Sequence, residues 1–167
     1  MMSEERHPAS GVSRQATLMT IIAFIIALDQ WTKVLVREHL NAPRIYLGGL
    51  VSLIYAQNEG AFLSLGAGLS PAARTLIFTI AVGIAVIVAL SMLVMKRVAG
   101  IDAIAVALIA AGGIGNLIDR VTQHGRVTDF MYLAAGPVHT GVFNVADVAI
   151  TSGVVWLLLS SFVPKRR

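Results

Sequence analysis

The sequence predicts a small all-α membrane protein with four transmembrane helices and a short β-like extracytoplasmic cradle between the first and the second. Three observations predict it. Of the 167 residues, 56% are apolar and 13% are charged, against about 25% charged in an ordinary soluble domain. The mean hydropathy is +0.78. The run from Thr75 to Met95, TLIFTIAVGIAVIVALSMLVM, contains no charge, and about 20 mostly apolar residues suffice to cross a bilayer. A chain of this length has room for one domain, so residues 1–167 are read as a single polytopic unit.

The elements follow in order. Residues 1–14 are polar and mixed in charge and are read as a flexible cytoplasmic arm. They do not read as a cleaved leader, because the apolar stretch that follows is too long and ends in no small-residue cleavage site. The first helix spans about 17–36 and must accommodate Asp29, Gln30 and Lys33. Residues 37–73 form the first outer connection. Within it, Arg44 to Ala56 mixes β-branched, aromatic and glycine residues, reads as one or two short strands, and leads into a turn at Asn58-Glu59-Gly60. The second helix is 75–95. After a very short loop the third, 103–118, follows as its antiparallel neighbour. Residues 119–142 form the second outer connection, and 145–163 the fourth helix.

Lys and Arg near helix ends set orientation. An even number of helices places both termini on one side, which then carries Arg6, Arg14, Lys96, Arg97, Lys165, Arg166 and Arg167, seven in all, against five (Arg37, Arg44, Arg74, Arg120, Arg126) on the other. Both termini are therefore placed in the cytoplasm. The net charge of +4 is dispersed, with no basic stripe and no interleaved aromatics, so no nucleic-acid partner is expected. The chain has no cysteine, which excludes disulfides, a thiol nucleophile and zinc–thiolate sites. Its four histidines show no metal-ligand spacing. Neither a metal nor a cofactor is expected.

This topology gathers Asp29, Asp119, Asp129 and Asp147 toward one membrane face. Asp29 sits seven residues before the end of its helix, about 10 Å below the surface at 1.5 Å per residue. Ionisable groups at such depth are costly and usually face a bundle interior or a wet cavity. Each also has a plainer reading. Asp29 and Lys33 are spaced i,i+4 and can pair on one helix face. Asn116 and Arg120 are i,i+4, Asn116 and Asp119 i,i+3, and Gly112, Gly113 and Gly115 permit close helix approach. Asn144 suits the N-cap of the fourth helix with Asp147 at its third position. Asp129 suits a turn cap, and Asn58 a turn asparagine.

Four separated stretches, taken in order, resemble one family: Asp29-Gln30-Trp31-Thr32-Lys33; Asn58-Glu59-Gly60-Ala61; Gly115-Asn116-Leu117-Ile118-Asp119-Arg120 leading to Val127-Thr128-Asp129-Phe130; and Phe143-Asn144-Val145-Ala146-Asp147. The family is the bacterial lipoprotein signal peptidase, or signal peptidase II, and the resemblance covers nearly the whole chain. It implies an aspartic endopeptidase of the inner membrane. Such an enzyme removes the signal peptide from a prolipoprotein after a diacylglyceryl group has been attached to a cysteine, cutting just before that cysteine. It implies Asp129 and Asp147 as the catalytic pair, and Asp29, Lys33, Asn58, Gly60, Asn116, Asp119, Arg120 and Asn144 as residues that support or line the site. It also implies inhibition by globomycin, a lipid-modified prolipoprotein and membrane lipids as partners, and a monomer. The sequence departs from the family where Ala-Phe-Ser usually follows Asn-x-Gly-Ala: here Phe62-Leu63-Ser64 stands instead, which bears on loop packing and substrate preference. Threonine at position 32, where serine is common, is a minor change. Two rival readings are a small transporter with a polar path and a non-catalytic relative that binds lipoproteins.

Overall fold

The computed structural model describes residues 9–59 and 70–162. In chain order they form α1 (Ala9–His39), β1 (Arg44–Tyr46), a short 3-10 turn (Leu47–Gly49), β2 (Val51–Asn58), α2 (Pro71–Val94), α3 (Gly100–Thr122), β3 (Val127–Ala135), β4 (Val138–His139) and α4 (Val145–Ser161).

Helix α3 is the central element and packs on each of the other three helices. Its buried face is built from small side chains, among them Ala103, Ala107, Ala110 and Ala111, against Leu18 and Ile22 of α1 and Ala89 and Leu93 of α2. Without a hydrophobic force between helices in lipid, small residues provide the close van der Waals contact that holds a bundle. Gly153 shows how tight this contact is: a Cβ there would stand 2.5 Å from the carbonyl oxygen of Ala105 on α3. The outer faces carry exposed Ile80, Ile84 and Ile87 on α2 and Phe24 and Trp31 on α1, as expected for surfaces solvated by hydrocarbon.

Among the described residues, three helical stretches, Arg14–His39, Leu76–Val94 and Gly100–Thr122, are long and apolar enough to cross a membrane, while Val145–Ser161 is apolar but shorter. At 17 residues, α4 extends about 26 Å.

The helices extend past the limits expected from apolar runs. α1 begins at Ala9, inside the stretch read as an arm. Arg14 donates to the carbonyl of Val98 and Gln15 to that of Leu93 at 3.2 Å, so the first polar turns have partners on the last turn of α2 and on the α2–α3 link. α2 begins at Pro71, capped by Ser70, whose hydroxyl accepts from the backbone N–H of Ala73 at 3.3 Å. α3 continues to Thr122, so Asp119 and Arg120 are helix residues and not part of an outer loop.

The sheet also differs from expectation. It has four antiparallel strands in the order β1-β2-β3-β4, and β3 and β4 come from the connection between α3 and α4. The cradle is therefore not confined to the segment between α1 and α2. Asn58 lies opposite Val127, and Ala56 opposite Asp129, with a bulge between Leu53 and Ala56. This register brings the end of the first outer connection beside the strand that carries Asp129.

Candidate active site

The site rests on a buried charge cluster between α1 and α3. Asp29, Lys33 and Asp119 are each 0% exposed. The Lys33 ammonium lies 2.8 Å from Asp29 and 3.4 Å from Asp119. Arg37 approaches Asp119 at 3.7 Å, so two cations face two carboxylates. Burying charge is tolerable only with such pairing and with hydrogen bonds for the remaining lone pairs. Those are present: Asp29 accepts from the backbone N–H of Ala146 on α4 at 2.9 Å, and Asp119 from that of Thr128 on β3 at 2.8 Å. The i,i+4 pairing of Asp29 with Lys33 is real, and it also ties α1 to α3, α4 and the sheet. Gly115 makes room for it, because a Cβ there would stand 2.6 Å from the Asp29 carboxylate.

Asn116 passes this cluster on to the next layer. Its Oδ1 accepts from Lys33 at 3.0 Å and from Asn144 at 3.2 Å, and its Nδ2 donates to Asp147 at 2.9 Å. Asn144 is the N-cap of α4, and its capping box is complete. Its Oδ1 accepts from the Asp147 N–H at 2.9 Å, and its own N–H donates to the Asp147 carboxylate at 3.1 Å. The same residue reaches the other aspartate, because its Nδ2 donates to Asp129 at 2.6 Å. The second oxygen of Asp129 accepts from Asn58 at 3.1 Å. Capping and site-building are thus one arrangement: the bonds that start α4 also aim Asp147, and the cap's side-chain amide holds Asp129.

Asp129 lies on β3, is 2% exposed, and its pKa is pushed up from 3.8 to about 6. Burial is the largest cause and the neighbouring charge of Asp147 the next, while the hydrogen bonds from Asn58 and Asn144 and the charge of Lys33 pull the other way. A like charge nearby disfavours ionisation, so Asp129 keeps its proton to higher pH than a free carboxyl does. Each carboxylate accepts two hydrogen bonds from these neighbours and keeps further lone pairs. Arg120 extends from α3 toward the same place. Its Nη1 donates to the Asn116 carbonyl at 3.3 Å, and its buried Nε has no hydrogen-bond partner among the described residues.

The structure therefore brings Asp29, Lys33, Asn58, Asn116, Asp119, Arg120, Asp129, Asn144 and Asp147 into one network, while Gly60 lies outside the described residues. Three further members were not anticipated from sequence. Gln30 donates to the Gly115 carbonyl at 3.0 Å and to Asp29 at 3.1 Å. Arg37 donates to the Thr128 hydroxyl at 3.0 Å. Thr128 links the two through its N–H to Asp119. The signal for Arg37 was available, because Asp29, Lys33 and Arg37 stand at i, i+4 and i+8 on one helix face.

Comparison with known proteins agrees with this arrangement. The model of the signal peptidase (SPase) II family matches residues 21–163. The lipoprotein signal peptidase of Shigella boydii serotype 4 is 34% identical over 147 residues, covering 87% of this chain and 89% of that one. That of Syntrophus aciditrophicus is 36% identical over 138 residues, covering 81% and 85%. A solved structure described as a bacterial membrane enzyme, determined by the in meso method at 2.3 Å resolution, superposes with a TM-score of 0.76 at 24% identity, covering 91% of this chain and 94% of that one. The last likeness concerns the fold, a membrane enzyme of apolar helices and a small antiparallel sheet. With the family model matched across the chain and relatives above 30% identity along most of its length, this protein belongs to the signal peptidase II family.

Proposed function

We propose that the chain is an intramembrane aspartic endopeptidase that removes the signal peptide from diacylglyceryl-modified prolipoproteins, cutting just before the lipid-bearing cysteine, with Asp129 and Asp147 as the catalytic pair. The observation that carries this reading is Asn144, which donates from its side chain to Asp129 at 2.6 Å and from its backbone to Asp147 at 3.1 Å. Two carboxylates held on one residue, one of them with its pKa raised to about 6, are suited to share a proton.

The ionised carboxylate takes a proton from water as the water oxygen adds to the scissile carbonyl carbon. The protonated carboxyl gives its proton to the carbonyl oxygen, and a gem-diol forms. Collapse breaks the C–N bond, and the departing nitrogen takes a proton from the pair. A gem-diol hydroxyl returns its proton to the pair, so the products are the carboxylic acid of the signal peptide, which ionises by releasing its proton to solvent, and the free amine of the cysteine, and one proton is again shared. Since this chain has no cysteine, the cysteine belongs to the substrate. Asp29, Lys33, Asn116, Asp119 and Asn144 position the pair. Arg120, whose buried Nε–H has no partner among the described residues, is the donor best placed to meet the substrate backbone, and Asn58 and Gly60 are assigned to line the site. The lipid of the substrate stays in the bilayer and supplies binding energy remote from the reacting bond.

Asp129→Asn and Asp147→Asn, made separately, test the pair against a lipidated prolipoprotein. Each is expected to lower kcat by about 10³-fold while the variant stays folded. Near-normal cleavage by either folded variant would sink the assignment.

The same reading places four spans in the inner membrane, both termini in the cytoplasm, the site toward the extracytoplasmic face, and a monomer among membrane lipids. The absence of native cysteine allows a direct check. Single cysteines at Gln57 and at Gly141 are expected to react with an impermeant maleimide added outside intact spheroplasts, and one at Arg97 only after lysis. The reverse pattern would invert the topology.

A further inference from the structure

A second concavity, outside the carboxylate network, lies where the last turns of α1 meet the sheet. It is a cleft of about 240 Å³, walled by Leu35 of α1, Leu53 of β2 and Phe130 of β3. The cleft does not belong to the reaction described above. None of the residues that line it shares a hydrogen bond with Asp129 or Asp147 among the described residues.

Its polar groups are almost all spent. The Thr32 hydroxyl donates within α1, to the carbonyls of Leu28 and Asp29, both at 2.9 Å. Nδ1 of His39 is in hydrogen-bond contact with the carbonyl of Leu35 at 3.2 Å. Arg44, exposed on β1, also lines the cleft and has no hydrogen-bond or ion-pair partner among the described residues. Arg44 stands directly opposite Leu53 in the β1–β2 register, so the free cation adjoins the apolar wall. The surroundings are apolar and outward-facing: Trp31 and Val34 on α1, and Ile45, Leu47 and Leu50 on β1 and its turn, are all exposed.

An apolar slot asks for hydrocarbon, and an unpaired guanidinium asks for a phosphate, which its planar fork binds well. One class of membrane molecule carries both. A diacylglyceryl thioether supplies chains without a charge and leaves Arg44 unanswered. We propose that this cleft holds one acyl chain of an anionic membrane phospholipid, with its phosphate on Arg44. The bound chain then packs behind Phe130, next in sequence to Asp129.

Native mass spectrometry of the full chain tests this, with phosphatidylglycerol and phosphatidylcholine supplied in equal amounts. The readout is binding, so it stands or falls separately from the peptidase reading. The parent is expected to retain phosphatidylglycerol over phosphatidylcholine by about tenfold, worth about 1.4 kcal/mol. Arg44→Glu, on an exposed edge strand, is expected to abolish that preference, and Leu53→Trp, which fills the cleft, to lower retention of both lipids. Equal retention of the two lipids by the parent, or an unchanged preference in Arg44→Glu, would overturn the proposal. So would displacement of the bound phospholipid, one for one, by a diacylglyceryl peptide, because the cleft would then belong to the substrate. Should Leu53→Trp not fold, the Arg44→Glu comparison decides alone.

Discussion

The side-chain amide of Asn144 donates to Asp129 at 2.6 Å, across the gap between α4 and β3. Because Asn144 is also the N-cap of α4, helix capping and the hold on Asp129 meet in one residue and can be separated by substitution. Asn144→Ala removes both functions. It is expected to cost about 1 kcal/mol of stability, as lost caps do, and to lower kcat by about 10²-fold. Asn144→Ser restores a capping hydroxyl that is too short to reach Asp129. It is expected to recover the unfolding temperature without recovering kcat. Thermal unfolding and cleavage rates on the two variants check this, and recovery of both by serine would refute the bridging role.

The raised pKa of Asp129 gives a pH dependence of known sign. Below 3.8 the carboxyl is protonated in both folded and unfolded chains, and its shift costs nothing. Between 3.8 and about 6 the unfolded chain ionises first, so stability falls as pH rises, and above about 6 the full penalty is present. Asp129→Asn cannot ionise. Its unfolding temperature relative to the parent is therefore expected to improve from pH 4 to pH 7 and then level off. A difference that is flat across this range would contradict the raised value.

Asn58 opposes that shift, because its hydrogen bond favours the ionised form of Asp129. Asn58→Ala is expected to move the Asp129 titration further up. The limb of the pH–rate profile that reports Asp129 should move to higher pH, and Asn58→Gln is expected to restore it in part. No movement, or movement to lower pH, would show that this bond does not act on the carboxylate.

Lys33 neutralises two buried carboxylates at once. Lys33→Met strands Asp29 and leaves Asp119 with Arg37 alone, at 3.7 Å, and breaking a buried pair from one side typically costs about 3–5 kcal/mol. Adding Asp29→Asn is expected to return part of that loss by removing one uncompensated charge. Unfolding temperatures of the single and double variants measure this coupling. Strict additivity of two losses would argue against a shared cluster.

Much of the scaffold was legible in the sequence because lipid makes a simple demand: each spanning helix needs a long apolar run. Thr75 to Met95 met it without ambiguity. The Asn144–Asp147 cap and the Asp29–Lys33 pair were legible because both depend on fixed spacing within one helix. What escaped depends on partners far along the chain. β3 carries buried side chains at four successive positions, Val127 to Phe130, so it lacks the alternation that marks a strand, and it becomes one by pairing with β2. The polar ends of α1 and α3 stay helical because Arg37, Asp119 and Thr128 answer one another, which no local window reveals. The grouping of the candidate site residues was foreseen, but the order of dependence among them, from Lys33 through Asn116 to Asn144, needed coordinates.

The cluster around Lys33 has a further consequence for assembly. Apolar helices in hydrocarbon can slide and rotate against one another with little penalty, since lipid and leucine are equivalent surroundings. A lysine that must meet Asp29 on its own helix, Asn116 and Asp119 on α3 fits at one rotation and one depth only. A slip of a single residue turns the ammonium by about 100° away from its acceptors. The buried ions therefore act as an index pin, which sets the phase of α1 against α3 before the outer strands pair over them.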